Sequence, residues 1–323
     1  MINSVLGPIS AEKLGKTLVH EHFIVGQPGW RTDETMFPYD RKAALKANLE
    51  VCKAAKDVGI ATIVDCTPND YTRDPELYKE LARKSGINII CVTGLFNGTT
   101  GASTYWIAKT MFVKDMPKMM AELFVTEINV GIGKTGVKAG AVKVASSETV
   151  TPYEESIFKA AVIAQKETGV PIITHTEGPN PGIAQADLFI REGADNKKVL
   201  IGHISNSTDM DYYKAILDRG FYVGFDRMGM ILYTQDEICI KNIAELCKQG
   251  YADKIMLSHD TCNFWCGRSL RDIAPPEIVA MLGNWRVDYV SRTVLPALKE
   301  QGVTDKQINT MMVDNPRNLF SDK

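Results

Sequence analysis

Five histidines are the residues of this sequence whose type and spacing could support chemistry. His20 and His22 are separated by one residue inside the apolar stretch 17–25. Because side chains alternate between the two faces of a strand, both imidazoles are predicted to point to the same side. Two imidazoles on one side of a buried strand indicate a metal site, although an isolated His-x-His pair is equally consistent with a structural histidine in the core.

The other three histidines, His175, His203 and His259, each stand near the end of a short apolar stretch. If histidines were placed at random, about half or more would fall outside strands. Where strand ends gather in a ring, imidazoles that are distant in sequence converge. The common reason for such convergence is a transition metal, so the five histidines predict a metal centre.

A carboxylate and a lysine accompany these histidines. Asp260 follows His259 directly, and adjacent strand residues point in opposite directions. We predict that Asp260 faces the site, because a hydrolytic metal centre needs a carboxylate that binds metal and accepts a proton, whereas His259 faces outward or supports the site. Lys143 lies in an apolar stretch, where the residues alone favour a snorkelling or salt-bridged lysine. Asp65 is predicted to be structural.

Short apolar stretches alternate with amphipathic ones along the chain, which is typical of repeated β-α units around a parallel sheet. Several stretches are apolar almost throughout, as expected for strands that are covered on both faces. Strands are predicted over residues 17–25, 60–66, 87–94, 138–145, 170–176, 198–203, 221–226 and 254–260. Helices are predicted over residues 40–58, 74–85, 115–130, 151–169, 182–192, 209–219, 235–249 and 286–301.

Eight strands, each followed by a helix, predict an α/β fold, a single (β/α)8 TIM barrel over residues 1–323. No linker rich in proline, glycine or serine divides the chain into two domains. Two long irregular stretches, 94–106 and 261–285, follow the third and eighth predicted strands. Because barrel enzymes place their active sites at the carboxyl ends of the strands, these loops are predicted to form pocket walls.

The composition excludes several classes of function. Hydrophobic residues make up 45% of the sequence and the net charge is −2, so no nucleic-acid partner is predicted. No signal peptide or membrane-length apolar stretch is present, which predicts a cytoplasmic protein without a membrane partner. The seven cysteines suit reduced thiols. Cys262 and Cys266 have no second pair at zinc-site spacing, which disfavours a structural zinc there.

Five short segments follow one another in a specific order along nearly the whole chain. They are His20-Glu21-His22, Val142-Lys143-Val144, Ile173-Thr174-His175-Thr176, Ile201-Gly202-His203 and Leu257-Ser258-His259-Asp260. In combination these segments resemble the phosphotriesterase family of the amidohydrolase superfamily. The resemblance implies a (β/α)8 barrel with a binuclear metal centre.

The resemblance also implies roles for individual residues. One divalent ion would be held by His20, His22 and Asp260, and a second by His175 and His203. Lys143, carboxylated on Nζ by carbon dioxide, would bridge the two ions together with a hydroxide. The metal implied is zinc, with iron, cobalt or manganese as alternatives. The family further implies a homodimer.

Three residues bear on the substrate. Asp226-Arg227, after the seventh predicted strand, is similar to the Asp-Arg element of the phosphotriesterase-like lactonases. Arg227 is predicted to contact or order the substrate, the alternative being a surface salt bridge. Phe96 departs from the tyrosine-bearing version of its loop and is predicted to form a pocket wall. Trp265 is predicted either to cover an acyl chain or to pack its loop onto the barrel.

The resemblance therefore predicts a metal-dependent hydrolase that opens lactones, with N-acyl homoserine lactones as substrates, so that its role would be quorum quenching. The bridging hydroxide would attack, Asp260 would accept the proton, and weak organophosphate hydrolysis would share the site. A phosphotriesterase or a carboxyl or aryl esterase remains the alternative. A mononuclear deaminase, which needs no bridging Lys143, and a non-catalytic metal protein are the more distant alternatives.

Overall fold

The computed structural model describes residues 1–101, 103–178 and 180–321. An antiparallel hairpin, β1 (Ile2–Ser4) and β2 (Gly7–Ile9), precedes a sheet of eight parallel strands. These strands are β3 (Thr17–Glu21), β4 (Thr62–Asp65), β5 (Asn88–Leu95), β6 (Ala141–Ser146), β7 (Ile172–Thr176), β8 (Val199–Ile201), β9 (Tyr222–Phe225) and β10 (Ile255–Leu257). Each strand pairs with the next in chain order. The predicted (β/α)8 barrel is confirmed.

The barrel is nearly closed, because the regular ladder is interrupted between β10 and β3. Individual backbone hydrogen bonds join the two ends of the sheet at this seam. The N–H of Asp260 donates to the carbonyl of His20 at 3.0 Å, and the N–H of His22 donates to the carbonyl of Thr261 at 2.8 Å. The seam therefore brings the first and last strands together beside the His20-x-His22 pair.

Helices lie between the strands and after them. They are α1 (Arg41–Asp57), α2 (Pro75–Ser85), α3 (Thr104–Lys109), α4 (Met116–Asn129), α5 (Pro152–Thr168), α6 (Gly182–Glu192), α7 (Met210–Leu217), α8 (Asp236–Lys248), α9 (Leu270–Ile273), α10 (Pro276–Met281), α11 (Leu295–Glu300), α12 (Asp305–Asn309) and α13 (Asn315–Phe320). The ends of α5 illustrate why helices form there. Thr151 and Glu154 make the predicted capping box, and Gly169 ends the helix with φ of 76°.

Apolar side chains fill the barrel and separate it from the helices. The interior cluster includes Val64, Ile90, Ile173, Leu200 and Met256, all fully buried. At the amino-terminal end of the strands, residues of α13 and of the β1 strand join this cluster. Burial of this apolar surface stabilises the scaffold, and the polar side chains of the predicted site lie at the carboxyl ends of the strands.

The first barrel strand, β3, is shorter than predicted. It ends at Glu21 rather than at residue 25, and its register against β4 shifts between Leu18 and Glu21. His22 follows as an isolated bridge to the chain after β10. His203 and Asp260 likewise lie beyond the ends of β8 and β10.

The two long loops and the carboxyl-terminal region contain more helix than predicted. The stretch 94–106 includes the start of α3, and 261–285 includes α9 and α10. The helix predicted over 286–301 begins with a π-helical turn, Val290–Val294, and continues as α11. Two further helices, α12 and α13, flank a second π-helical turn and were not predicted.

Within the described residues, no helix combines the length and the apolar composition that a membrane crossing would need.

Candidate active site and metal centre

The paired histidines and the last aspartate meet at the seam of the barrel. Nε2 of His22 lies 3.1 Å from Oδ1 of Asp260, and Nε2 of His20 lies 3.6 Å from the same oxygen. Ligand atoms of the three residues all lie within 4.8 Å of one another. Imidazole nitrogens and a carboxylate at this spacing form a donor set suited to a transition metal.

The other two predicted histidine ligands adjoin this group. Nε2 of His203 is 3.6 Å from Oδ2 of Asp260 and 3.0 Å from Nδ1 of His175. Nε2 of His175 is held by Oε2 of Glu177 at 2.8 Å, so its Nδ1 faces the centre. Burial lowers the pKa of His175 to about 4 and that of His203 well below its usual value. Both rings are therefore neutral, which is the form that binds a metal ion.

Lys143 comes from β6 and reaches the same centre. Its Nζ lies 2.6 Å from Nε2 of His20 and 3.4 Å from the carbonyl of Thr174, and its side chain is 1% exposed. Burial lowers the pKa of this amine. The structure thus places Lys143 against the group formed by His20, His22 and Asp260. A snorkelling lysine would instead lie at the surface.

Asp226 orients two of the histidines. Its Oδ2 lies 2.7 Å from Nδ1 of His20, and its Oδ1 lies 2.9 Å from Nδ1 of His203. Oδ1 also accepts the backbone N–H of His203 at 2.7 Å. A carboxylate on Nδ1 keeps the proton there and leaves the lone pair of Nε2 directed at the centre.

His22 is also oriented by a hydrogen bond on Nδ1, but its partner is a hydroxyl instead of a carboxylate. Its Nδ1 is 2.8 Å from Oγ1 of Thr67, and that hydroxyl also lies 3.1 Å from the carbonyl of Ile24. Because the hydroxyl donates to this carbonyl, its oxygen accepts a hydrogen bond from Nδ1. In metal-binding histidines, the ring nitrogen that faces away from the metal has a hydrogen-bond partner, and the other nitrogen is free to bind the metal. The histidines of this site have that arrangement, so they fit a metal.

Two of the site residues adopt a left-handed backbone conformation, which explains why they point inward. His203 has φ of 58° and Asp260 has φ of 56°. Non-glycine residues rarely adopt this conformation except where surrounding contacts hold them. Asp260 lies after the end of β10, so this turn, and not the alternation of side chains along a strand, directs its carboxylate.

Arg227 lies beside the carboxylate of Asp260. Its Nε donates to Oδ2 of Asp260 at 3.1 Å, and its Nη1 donates to Oδ1 of Asn206 at 3.2 Å. The guanidinium stacks over the ring of Tyr233 at 4.2 Å. Its buried position excludes the alternative of a surface salt bridge. Burial raises the pKa of Asp260, but the neighbouring His203, His22 and Arg227 together hold it well below its usual value.

A cavity of about 380 Å³ opens above the donor set. His22, His175, Glu177, Arg227 and Asp260 form its polar part. The remainder is predominantly apolar and includes Val25, Tyr71, Phe96, Met230, Leu232, Trp265, Leu270, Ile278, Leu282 and Trp285. Apolar walls around a few polar groups are typical of a small-molecule site.

Both residues predicted to form the pocket lie in this wall. The ring of Phe96 packs against Tyr71 with centroids 4.2 Å apart and meets the edge of His175 at 4.7 Å. Trp265 is half-buried in the loop after β10, where its backbone pairs with Val25. The loops after β5 and β10 are thus pocket walls.

Other candidates lie outside the donor set. The ring of His259 is bound by Glu21 and by the N–H of Val290. Asp65 accepts hydrogen bonds from the backbone of Phe23 and Thr67 and acts as a structural carboxylate.

The two cysteines of the last loop do not form a cation site in the part of the chain that the structure describes. The thiol of Cys266 donates to Oε1 of Gln27 at 3.1 Å, and Cys262 lines the cavity.

Sequence reasoning missed Glu21, Glu177 and Asp226 as parts of the site. All three are acidic residues at or just after strand ends, and Glu21 and Asp226 are almost fully buried. An acidic residue within two positions of a strand-end histidine is a signal that could have indicated Glu21 and Glu177, whereas Asp226 has no such neighbour in the sequence.

Comparison with known proteins agrees with this geometry. The model of the phosphotriesterase family matches residues 1–320. A phosphotriesterase homology protein of Mycobacterium tuberculosis is 36% identical over 325 residues, covering 99% of this chain and 97% of the relative. An aryldialkylphosphatase of Saccharolobus solfataricus is 33% identical over 315 residues and 97% of each chain.

Solved structures agree as well. A variant of a phosphotriesterase-like lactonase of Deinococcus radiodurans superposes with a TM-score of 0.95 at 38% identity, covering 99% of this chain and 100% of that one. The resemblance carried by the five short segments is therefore confirmed, and this chain belongs to the phosphotriesterase family.

Proposed function

We propose that this member of the phosphotriesterase family opens lactones, with N-acyl homoserine lactones as its substrates. One observation carries the proposal: His22, His175 and Asp260 line a predominantly apolar cavity, and His20, His203 and Lys143 lie against them. The polar floor suits the ester group of the ring, and the apolar walls suit an acyl chain. The structural similarity to a phosphotriesterase-like lactonase supports this choice of substrate.

The proposed cofactors are two divalent ions, with zinc as the first choice and iron, cobalt or manganese as alternatives. His20, His22 and Asp260 would hold one ion, and His175 and His203 the other. Lys143, carboxylated on Nζ, would supply the oxygens shared between them. When bound, the ions would supply a Lewis acid for the ester carbonyl and a hydroxide at neutral pH.

Asp260 is proposed to move the proton. Its carboxylate lies within 3.1–3.6 Å of three imidazole nitrogens and lines the cavity, so it can accept the proton released as the carbonyl is attacked. The same carboxylate can then pass the proton to the departing alkoxide. Arg227 restricts the carboxylate by donating to Oδ2, and its own guanidinium lines the cavity.

The cavity wall is proposed to exclude water from the acyl chain. Phe96 would face the lactone side, because its ring touches that of His175. Trp265 would cover the chain from the last loop. Shielding a buried ester from bulk water strengthens the electrostatic interactions that act on it.

A second function, organophosphate triester hydrolysis, is favoured by the similarity to an aryldialkylphosphatase. An ester carbonyl and a phosphoryl centre need the same polarising groups and the same proton acceptor. We propose that this activity is weak and secondary. A mononuclear deaminase is less well supported, because the buried Lys143 beside His20 would have no role in it.

A substrate panel tests the proposal. Metal-reconstituted protein is to be assayed with N-acyl homoserine lactones of increasing chain length, simple γ- and δ-lactones, and paraoxon. We expect the highest kcat/KM for acyl homoserine lactones and slow turnover of paraoxon. Fast triester hydrolysis without lactone turnover would contradict the lactonase assignment and favour the second function.

Arg227→Lys is expected to raise KM for lactones by about tenfold or more. A single ammonium cannot keep both Asp260 and Asn206 as partners, so the positive charge leaves the position from which Arg227 lines the cavity. Steady-state kinetics on the same lactone measure the effect. Arg286→Lys, in an exposed ion pair with Asp288, is the matched control and should leave KM unchanged. An unchanged KM in Arg227→Lys would remove Arg227 from the substrate site.

The remaining parts of the proposal concern the whole molecule. We propose one domain over residues 1–323, which the family match over residues 1–320 supports. A homodimer is proposed from the family resemblance, and a cytoplasmic location from the amino-acid sequence. Light scattering of the purified protein measures the oligomeric state, and cell fractionation measures the location.

A further inference from the structure

A carboxylate outside the predicted donor set joins the two ends of the barrel. Glu21 lies between His20 and His22, and its side chain is 3% exposed. Its Oε1 accepts hydrogen bonds from the backbone N–H and ring Nδ1 of His259 at 3.0 and 2.7 Å. Its Oε2 accepts from the backbone N–H of Thr261 at 2.8 Å and from the hydroxyl of the same residue. One side chain thus adds four hydrogen bonds to the individual backbone bonds that join β3 to the segment after β10.

The two backbone N–H groups bound by Glu21 belong to the neighbours of Asp260. Asp260 itself has the left-handed conformation, with φ of 56°. A non-glycine residue in such a conformation is held there by the surrounding structure. The oxygens of Glu21 hold the residue before it and the residue after it, so they maintain the turn that directs the Asp260 carboxylate at the imidazoles.

Backbone hydrogen bonds reinforce the same turn. Asp260 donates its N–H to the carbonyl of His20, and His22 donates its N–H to the carbonyl of Thr261. The segment that carries the paired histidines and the segment that carries the aspartate are therefore held together by backbone bonds and by Glu21. The 3.1 Å separation between His22 Nε2 and Asp260 Oδ1 is a consequence of this arrangement.

His259 extends the contact to the cavity wall. Its Nε2 accepts the N–H of Val290 at 2.9 Å, which requires the proton to be on Nδ1, where it is donated to Glu21. The carbonyl of His259 accepts a hydrogen bond from Nε1 of Trp285 at 2.7 Å, and Trp285 lines the cavity. Glu21 is thereby linked to the wall of the cavity as well as to the turn.

We propose that Glu21 is a positioning residue, which holds the left-handed turn at Asp260 and so sets the place of the proton-accepting carboxylate relative to His20 and His22. The inference rests on the proposed function in so far as Asp260 acts on the substrate. It does not depend on which ester is hydrolysed. A residue that acts in this way should affect kcat rather than KM, because it alters the reacting geometry and leaves the cavity wall in place.

Glu21→Gln is the direct test. The carboxamide has nearly the same size, but its NH2 group must face the donors of either His259 or Thr261, which breaks one side of the contact. We expect kcat for a lactone to fall by at least about tenfold, with KM changed less than about threefold. Hydrogen exchange measured by mass spectrometry should show faster exchange at residues 259–261.

Asn315→Asp is the matched control, because it is also an amide–carboxylate exchange at a buried residue. Asn315 lies at the opposite end of β10, is 1% exposed, and donates to the carbonyls of Ala252 and Ile255 at 2.8 and 2.7 Å. A carboxylate there faces two acceptors and should lower the Tm. We expect the kcat of Asn315→Asp and its hydrogen exchange at residues 259–261 to match those of the wild type. Equal losses of kcat in the two variants would overturn the proposal.

Thr261→Val provides a second, milder variant for the case in which Glu21→Gln does not fold. It removes only the hydroxyl donor to Oε2, so kcat should fall by a smaller factor at unchanged KM. Unchanged kcat and unchanged exchange at residues 259–261 in whichever of the two variants folds would overturn the proposal. If the wild type turns over no ester, the proposed function fails while the exchange comparison still decides whether Glu21 holds this turn.

Discussion

Replacing Lys143 by alanine is expected to reduce the metal content from two divalent ions per chain to one or fewer, and to lower kcat for lactones by at least about 100-fold. Lys143 is the residue of β6 that reaches the donor set, with Nζ 2.6 Å from Nε2 of His20. Carboxylation forms a bond between Nζ and carbon dioxide with loss of a proton, and the new oxygens are the proposed shared ligands. An alanine at this position supplies no such oxygens. Elemental analysis of the purified variant and steady-state kinetics measure the two effects.

Lys198→Ala is the control for this experiment. Lys198 is also buried, at 7% exposure, but it precedes β8 at the amino-terminal end of the barrel and donates to the carbonyl of Ser321. Loss of its side chain should reduce stability without changing the metal content. A Lys143→Ala variant that keeps both its ions and its activity would contradict the bridging role and leave the histidines and Asp260 as the whole centre.

Asp226→Asn is expected to weaken metal binding by about 10- to 100-fold and to lower kcat by a similar factor. The carboxylate holds Nδ1 of His20 with one oxygen and Nδ1 of His203 with the other. An asparagine has one carbonyl oxygen, so its NH2 group must face one of the rings. That ring then accepts on Nδ1 and carries its proton on Nε2, which removes the lone pair directed at the centre. Titration with zinc against a competing chelator measures the affinity.

Asp236→Asn separates this effect from the general cost of changing a buried carboxylate. Asp236 is 5% exposed and accepts hydrogen bonds from the N–H of Gly229 and the hydroxyl of Tyr289, both at 2.9 Å. Neither of these hydrogen bonds involves a histidine or aspartate that is predicted to bind metal. We expect wild-type metal affinity in this variant. If both variants lose affinity equally, the loss in Asp226→Asn does not come from the tautomers of His20 and His203.

Much of the scaffold could be predicted from the sequence because its signals are local. Apolar stretches of strand length, capping residues such as Thr151 and terminating glycines such as Gly169 depend on a few neighbouring residues. The eight barrel strands occur where they were predicted, with ends that differ by several residues, whereas the hairpin of β1 and β2 was not predicted. Helix α13 was missed because the π-helical turn before it and its packing beneath the barrel depend on distant contacts. Helix α12 begins at a capping box of Thr304 and Gln307, which is a local signal that sequence reasoning could have used.

The candidate site was predictable to the extent that residue type indicated it. Histidines beside strand ends identified His20, His22, His175 and His203, and the order of strands in a barrel brings such residues together. From the sequence, Asp226 was predicted only as a part of the Asp-Arg element that contains Arg227. Its function as a shared partner of two histidines depends on contacts across more than 20 residues of sequence, which no local pattern shows.

The sequence by itself determined the parallel barrel and the ring of histidines, because strand periodicity, helix caps and the placement of histidines are properties of short segments. Only the tertiary structure decided how the seam between β3 and β10 closes and how Asp260 is aimed. Asp260 lies after the strand in a left-handed conformation, and Glu21 holds its two neighbours from the other end of the chain. The physical reason is that a strained turn is stable only when distant side chains hold it, and those partners are defined by folding.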